Sequence, residues 1–205
     1  MTILLSDAGK RFNRDWIFRH LNYSFEKGKA YAITGPNGSG KSTFLQVLSG
    51  GMMLNEGLIE WKNENGKIDT EKIFQHISLC APYLELVEEM TLNELLSFHQ
   101  NFKPFIPGIS VNDIVLKVGL DKAAKKQIRN YSSGMKQRVK LAQCIFSDTP
   151  IVLLDEPCTN LDAEGISLYQ SLIDTYCKEK MVIVSSNDEM EYGFCENIIN
   201  MSNHK

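Results

Sequence analysis

Residues 35–42 read Gly-Pro-Asn-Gly-Ser-Gly-Lys-Ser and fill every fixed position of the phosphate-binding pattern G-x-x-x-x-G-K-[ST]. The preceding Tyr31-Ala-Ile-Thr34 is a short apolar run, and the following Thr43-Phe-Leu-Gln-Val-Leu-Ser49 carries a helical pattern. Strand, glycine-rich turn and helix start together aim backbone N–H groups at a polyphosphate, and the helix N-terminus adds partial positive charge beneath it. Gly35, Pro36, Asn37, Gly38, Ser39 and Gly40 would form the cradle, with Thr43 following at the helix start. The Lys41 ammonium would reach the β- and γ-phosphates, and the Ser42 hydroxyl would ligate Mg²⁺.

Further apolar runs at Ile3–Leu5, Leu58–Trp61, Ile77–Cys80, Ile151–Leu154, Met181–Ser185 and Ile198–Met201 read as strands. Several lack hydrophobic/polar alternation, as strands buried on both faces of a mainly parallel sheet do. Helical patterns lie between them, which points to the α/β class. The middle of the chain differs. Thr91-Leu-Asn-Glu94 is a capping box that opens an amphipathic helix ending near Phe102, ahead of Pro104 and Pro107. Ser110-Val-Asn-Asp113 is a second helix start and Gly119 its stop. A third helix is expected from about Ser133 to Ser147. Residues 84–130 thus read as a small helical insertion in a nucleotide-binding core made of residues 1–83 and 131–205.

With 205 residues the chain has room for one domain, or one domain with a small subdomain. Its net charge of −3 gives no reason to expect nucleic-acid binding. The densest basic stretch, Lys122, Lys125, Lys126 and Arg129, reads as a solvated face. No apolar run approaches the roughly 20 residues that span a bilayer, and the N-terminus lacks a basic leader. Five scattered cysteines with no CxxC pair suggest reduced thiols in a cytosolic protein.

A second chemical stretch is Ile151-Val-Leu-Leu-Asp-Glu-Pro157, four apolar residues ending in two acids. A buried strand would deliver Asp155 to the carboxyl edge of the sheet, where ligands of α/β proteins bind. There it would hold Mg²⁺ opposite Ser42, while Glu156 would orient and partly deprotonate the attacking water. Upstream, Tyr131-Ser-Ser-Gly-Met-Lys-Gln-Arg138 places serines and a glycine at a helix start, a second anion-binding arrangement.

With these stretches the chain resembles the ATP-binding-cassette (ABC) ATPases over nearly its whole length. Tyr131-Ser-Ser-Gly-Met135 is similar to the family signature Leu-Ser-Gly-Gly-Gln, matching at Ser132 and Gly134 and departing at Tyr131, Ser133 and Met135. Thr159-Asn-Leu-Asp162 looks like the D-loop, with Asp162 in the aspartate position. Phe12 stands where the family's adenine-stacking aromatic stands, although a packed phenyl ring is an equal reading of the residue itself. Two positions depart in their chemistry. Pro82 occupies the place of the Q-loop glutamine, and Asn187, after Val182-Ile-Val-Ser-Ser186, replaces the switch histidine. Asparagine can hydrogen-bond a γ-phosphate but cannot carry a proton or a charge. None of His20, His76, His99 or His204 falls at a corresponding position.

The resemblance implies a RecA-like P-loop NTPase core in three layers, with a mainly parallel sheet, an antiparallel β subdomain formed by N-terminal strands, and the inserted helical subdomain. It implies ATP and Mg²⁺ as ligands. Catalysis would fall to Glu156, Lys41 and Asn187, and ATP would lie between one phosphate loop and the Ser132–Gly134 helix start of a second cassette. The partners implied are a second cassette, identical or not, and separate membrane subunits moved through the Pro82–Glu89 region, with the chain on the inner face of the membrane. Pro82 and Asn187 keep open a slow or inactive cassette that uses ATP binding as a switch. A soluble, non-transport ABC ATPase is the third reading.

Overall fold

The computed structural model describes residues 1–204. Its strands are β1 (Thr2–Phe12), β2 (Asp15–Glu26), β3 (Ala30–Thr34), β4 (Glu56–Asn63), β5 (Gly66–Ile68), β6 (Ile77–Cys80), β7 (Ile151–Asp155), β8 (Met181–Ser185) and β9 (Asn197–Asn200). Its α-helices are α1 (Lys41–Leu48), α2 (Leu92–His99), α3 (Val111–Lys117), α4 (Ser133–Phe146), α5 (Ala163–Tyr176) and α6 (Glu189–Tyr192).

The strands form two sheets. One is parallel, in the order β6-β7-β8-β3-β9, and the other antiparallel, in the order β2-β1-β4-β5. All residues of β7 and β8 are buried, which is why neither segment alternates in sequence. Their side chains divide between two cores. Ile151, Leu153, Met181 and Ile183 join a core with α1 and the antiparallel sheet, whose largest members include Phe18, Phe25, Phe44 and Trp61. Val152, Leu154, Val182 and Val184 face the other core, with Leu92, Ile114, Val139, Tyr169 and Leu172. The Trp61 indole N–H donates to the Leu48 carbonyl at 3.0 Å, so one antiparallel strand also closes the C-terminus of α1.

The antiparallel sheet shows where pattern reading falls short. Asp15–Glu26 is a twelve-residue strand that the apolar runs do not announce. Its buried residues Phe18, Leu21 and Phe25 break the two-residue period, because the β1–β2 pairing shifts register between Leu5 and Arg11. Asp7 and His20 adopt positive φ at this irregularity, and Asn22 Oδ1 takes up the Asp7 N–H at 2.8 Å. The same slip makes β1 run past Leu5, where the alternation in sequence ends.

Both capping boxes form. The Thr91 side chain accepts from Glu94 N and the Glu94 carboxylate from Thr91 N, with Ser110 and Asp113 repeating the exchange at α3. Each such cap is worth about 1 kcal/mol. Gly119 sits just beyond α3 with φ +67°. Lys122, Lys125, Lys126 and Arg129 are exposed, as a solvated face requires, and all five cysteines are free.

His99, in the last turn of α2, packs into this region. Its Nε2 lies 3.0 Å from Ser147 Oγ, its Nδ1 lies 3.2 Å from Gln143 Nε2, and its ring stacks on Phe105. Burial, helped by the Lys103 charge, lowers its pKa to about 4. The unfolded chain, with an ordinary imidazole, therefore binds the extra proton first as pH falls. Stability due to His99 is complete above about pH 6.5 and is lost on acidification towards 4. Urea-unfolding midpoints should thus decline between about pH 6.5 and 5, a range above most carboxylate titration, and His99→Gln should flatten that slope.

Candidate nucleotide-binding site

The parallel register assembles the site. Ile33 of β3 and Asp155 of β7 both lie opposite Ser185 of β8, so the three strands release their following loops at one edge. From β3 the chain turns through the glycine-rich loop into α1. Gly35, Gly38 and Gly40 all have positive φ, and Gly40 is the most tightly enclosed of the three. A Cβ there would lie 2.1 Å from Ile17 Cγ2 of β2, so the antiparallel sheet presses the loop into shape. Gly40 is also the N-cap of α1 and brings no capping side chain to its first turn. That leaves the helix start open to an external anion.

Two side chains grip Gly35. The buried Lys41 Nζ donates to the Gly35 carbonyl at 2.8 Å, and the Gly35 N–H donates to Asn187 Oδ1 at 3.1 Å. With its oxygen so used, the Asn187 amide keeps its NH₂ donors for other partners. Asp155 ends β7 only 3% exposed, and its Oδ1 finds no hydrogen-bond partner. Ser39 Oγ and Ser185 Oγ are also buried and unpaired. Unpaired buried polar atoms are costly, and here they gather at one strand edge. The carboxylate oxygen and the exposed Ser42 hydroxyl are both hard oxygen donors, a set that suits Mg²⁺.

Glu156, next in the chain, is exposed and adopts φ +43°, with its N–H donating to the Ser185 carbonyl at 2.9 Å. It shares a hollow of about 330 Å³ with Ile17, Asn37, Gly38, Gly40, Lys41, Ser42 and Thr43. Pro36 is exposed beside them in the loop, and its carbonyl accepts the Ser39 N–H.

The helix-start stretch lies elsewhere. Ser132 caps α4 by accepting from Met135 N at 3.2 Å. Ser132, Gly134, Arg138, Asn160 and Asp162 line a second hollow of about 440 Å³ that shares no residue with the first. A Cβ on Gly134 would lie 2.9 Å from the Asn160 carbonyl oxygen, so a glycine lets α4 approach that backbone. Asp162 is committed locally: its Oδ1 accepts the Gly165 N–H at 2.8 Å as the N-cap of α5, with Arg138 at 3.5 Å.

Phe12 is not packed in the core. It is 46% exposed at the end of the β1–β2 hairpin, paired with Asp15 and with Lys10 Nζ 5.3 Å from its ring centroid. That places it two residues along β2 from Ile17, which lines the first hollow. Pro82 is exposed, and its carbonyl accepts from Lys140 Nζ at 2.8 Å. No histidine lines either hollow among the described residues.

Several residues at this edge escape a sequence reading. Ile17 touches the loop across a sheet boundary and leaves no local signal. Gln137 and Glu191 are polar residues only 4% and 5% exposed. Gln137 does leave a trace, as a polar position one turn before Leu141 on the buried stripe of α4. Burial raises the Glu191 carboxyl above its ordinary pKa against the hydrogen bonds it accepts, and the Asp188 and Glu156 carboxylates add to the rise.

Residues 18–159 match the ABC transporter family. The chain is 31% identical to the lantibiotic transport ATP-binding protein SrtF of Streptococcus pyogenes, covering 89% of this chain and 78% of that one. It is 33% identical to ABC transporter I family member 1 of Arabidopsis thaliana, covering 89% and 80%. A solved dimeric ATP-binding cassette in a post-hydrolysis state, bound to ADP and Pi, superposes with a TM-score of 0.81 over 97% of this chain and 93% of its own. At 23% identity, that last likeness is one of fold.

The contact between Ile17 and Gly40 makes a direct test. Gly40→Ala should lower affinity for a fluorescent ATP analogue by about tenfold or more, because the added methyl meets both a clash and a left-handed φ. Adding Ile17→Ala removes the clash but not the strain, so the double variant should recover only part of the loss.

Proposed function

We propose that this chain, which belongs to the ABC transporter family as an ATP-binding subunit, hydrolyses ATP between two cassettes and so moves separate membrane subunits. The observation that carries the reading is the separation of the two hollows. The phosphate loop, Asp155 and Glu156 lie at one, and the Ser132–Gly134 helix start at the other, with no residue in common. A face-to-face second copy, or another cassette, would set each helix start against the opposite phosphate loop. The dimeric state named for the ADP-bound structural neighbour supports this arrangement.

In this reading Gly35–Thr43 cradle the triphosphate through backbone N–H groups and the α1 N-terminus. Lys41 exchanges the Gly35 carbonyl for phosphate oxygens, and Phe12 offers its exposed face to the adenine. Ser42 and Asp155 would hold Mg²⁺, which when bound neutralises phosphate charge. Glu156 accepts a proton from the water that attacks the γ-phosphorus, and the bond to the β-phosphate oxygen breaks to leave ADP and phosphate. Asn187 donates its amide N–H to the γ-phosphate. Ser132 and Gly134 present the partner's α4 N-terminus to the same group, and Asp162 holds the turn beside them.

Among the described residues no helix is long and apolar enough to cross a membrane; in this reading passage falls to the separate membrane subunits. The cassette would sit on the inner face of the membrane through those partners, as the transport role in the name of the SrtF relative supports. Pro82 supplies no side-chain amide and Asn187 no transferable proton, which favours slow turnover within the same mechanism.

Steady-state ATPase measurement on the purified chain is the first test. Glu156→Gln should lower kcat by about 10²-fold or more while ATP still binds, since general-base help is worth about that much. The same variant, unable to clear ATP, should shift from monomer to dimer on adding Mg-ATP in size-exclusion chromatography. Turnover unmoved by Glu156→Gln would remove that residue as the base. Tagged chain drawn from solubilised membranes should bring a multi-span protein with it, and recovery of nucleic acid alone would overturn the transport assignment.

A further inference from the structure

The peptide between Pro157 and Cys158, the second after Glu156, is held by both of its polar atoms. The Pro157 carbonyl accepts from Gln137 Nε2 at 2.7 Å, and the N–H of the same peptide unit, on Cys158, donates to Glu191 Oε1 at 2.6 Å. The two gripping side chains come from different elements, α4 and α6, and both are almost wholly buried. Neither is free to wander. The Gln137 amide also lies against Cys80 Sγ at 3.7 Å, and Glu191 is anchored through its own backbone, its N–H donating to the Asp188 carbonyl and its carbonyl accepting from Tyr169 Oη.

We infer that Gln137 and Glu191 clamp the Pro157–Cys158 peptide and thereby position the Glu156 side chain. The inference rests on the reading of Glu156 as the general base. Its physical basis is the backbone of Glu156, whose φ of +43° is one that an unconstrained glutamate seldom adopts. A residue stays in such a conformation only when its surroundings over-determine it. On one side the Glu156 N–H is tied to the Ser185 carbonyl. On the other, the clamp fixes the plane of the next peptide but one, and the Thr159 N–H returns to the Glu156 carbonyl at 3.1 Å. The burial of an ionisable carboxyl at position 191 is otherwise costly, and a hydrophobic residue would fill the space without that cost.

The clamp also joins three parts of the site. Gln137 lies on the helix whose start lines the second hollow, and Glu191 on the helix that follows Asn187. Glu156 stands between them. Movement of α4, or of the segment around Asn187, therefore reaches the base through one rigid peptide. Gln137 and Glu191 act as positioning residues and contact no reacting atom.

The test is steady-state kinetics on the full chain with Glu191→Ala, Glu191→Gln and Gln137→Met, the last of which removes the donor at similar volume. Misdirecting a catalytic group by about 1 Å can cost about a hundredfold, so Glu191→Ala and Gln137→Met should lower kcat by about that factor. KM for ATP should stay within about threefold, because neither residue lines the phosphate hollow. Glu191→Gln keeps a carbonyl oxygen for the Cys158 N–H and should restore most of the rate. Hydrogen exchange at the Cys158 amide should accelerate in Glu191→Ala and stay slow in Glu191→Gln. If Glu191→Ala does not fold, Gln137→Met carries the kinetic arm. Unchanged kcat in the alanine and methionine variants would overturn the clamp, as would a loss in Glu191→Gln as deep as in Glu191→Ala. A wild-type chain with no turnover would instead overturn the hydrolytic reading, and the clamp's catalytic role with it.

Discussion

Everything at the candidate site depends on the parallel pairing of β3, β8 and β7. Because Ile33 and Asp155 both lie opposite Ser185, three strands end at one level and three loops start from one edge. A one-residue slip would turn every side chain of a strand to the opposite face. Here that slip is doubly resisted, since alternate residues of β7 and β8 are claimed by different cores. Leu153 belongs with Phe44 and Leu154 with Val139, and neither environment could accept the other set without repacking. The double core is thus what delivers an ionisable carboxyl, Asp155, into a buried position at a predictable place.

Around that edge, polar groups are held in arrangements that a phosphate and its accompanying cation would complete. Lys41 is buried against a single neutral carbonyl, which is a modest partner for an ammonium. Asp155 and Ser39 carry atoms with no partner at all. The fold tolerates these costs because its two cores are large, and ligand binding can relieve them together. An anion arriving at the start of α1 meets a lysine already within reach of the loop and a helix end with no side-chain cap. Little reorganisation is then needed, and the binding energy is not spent on ordering the loop.

Much of this was legible in the sequence, and the reasons differ by residue. Gly35–Ser42 and Ile151–Glu156 stand out because phosphate and Mg²⁺ chemistry demands particular residue types at fixed offsets. The unalternating runs β3, β7 and β8 announce a parallel sheet for the same reason that they are buried on both faces. Thr91 and Ser110 announce helix starts because capping is local. By contrast, β2 is hidden by the bulge that breaks its period, and β5 is only three residues long. Ile17 shapes the phosphate loop from another sheet, so no local pattern could reveal it. Glu191 looks like one more acid in an acidic turn, and only its burial and its 2.6 Å contact to Cys158 N distinguish it.

The two departures from the family pattern acquire a consistent meaning in this geometry. Asn187 spends its carbonyl oxygen on the Gly35 N–H, so only its neutral NH₂ donors remain for any other partner. Pro82 gives its only polar atom, the carbonyl, to Lys140. Neither residue can move a proton, and among the described residues no histidine lines the hollow in their place. In the proposed mechanism, proton transfer is thereby concentrated on a single side chain, Glu156. When one group carries that step alone, its orientation sets the rate more strongly than when a second group shares the work. A chain that has given up the switch histidine and the Q-loop glutamine has correspondingly more to gain from holding the turn after Glu156 rigid, and the Pro157–Cys158 peptide is where its buried side chains converge.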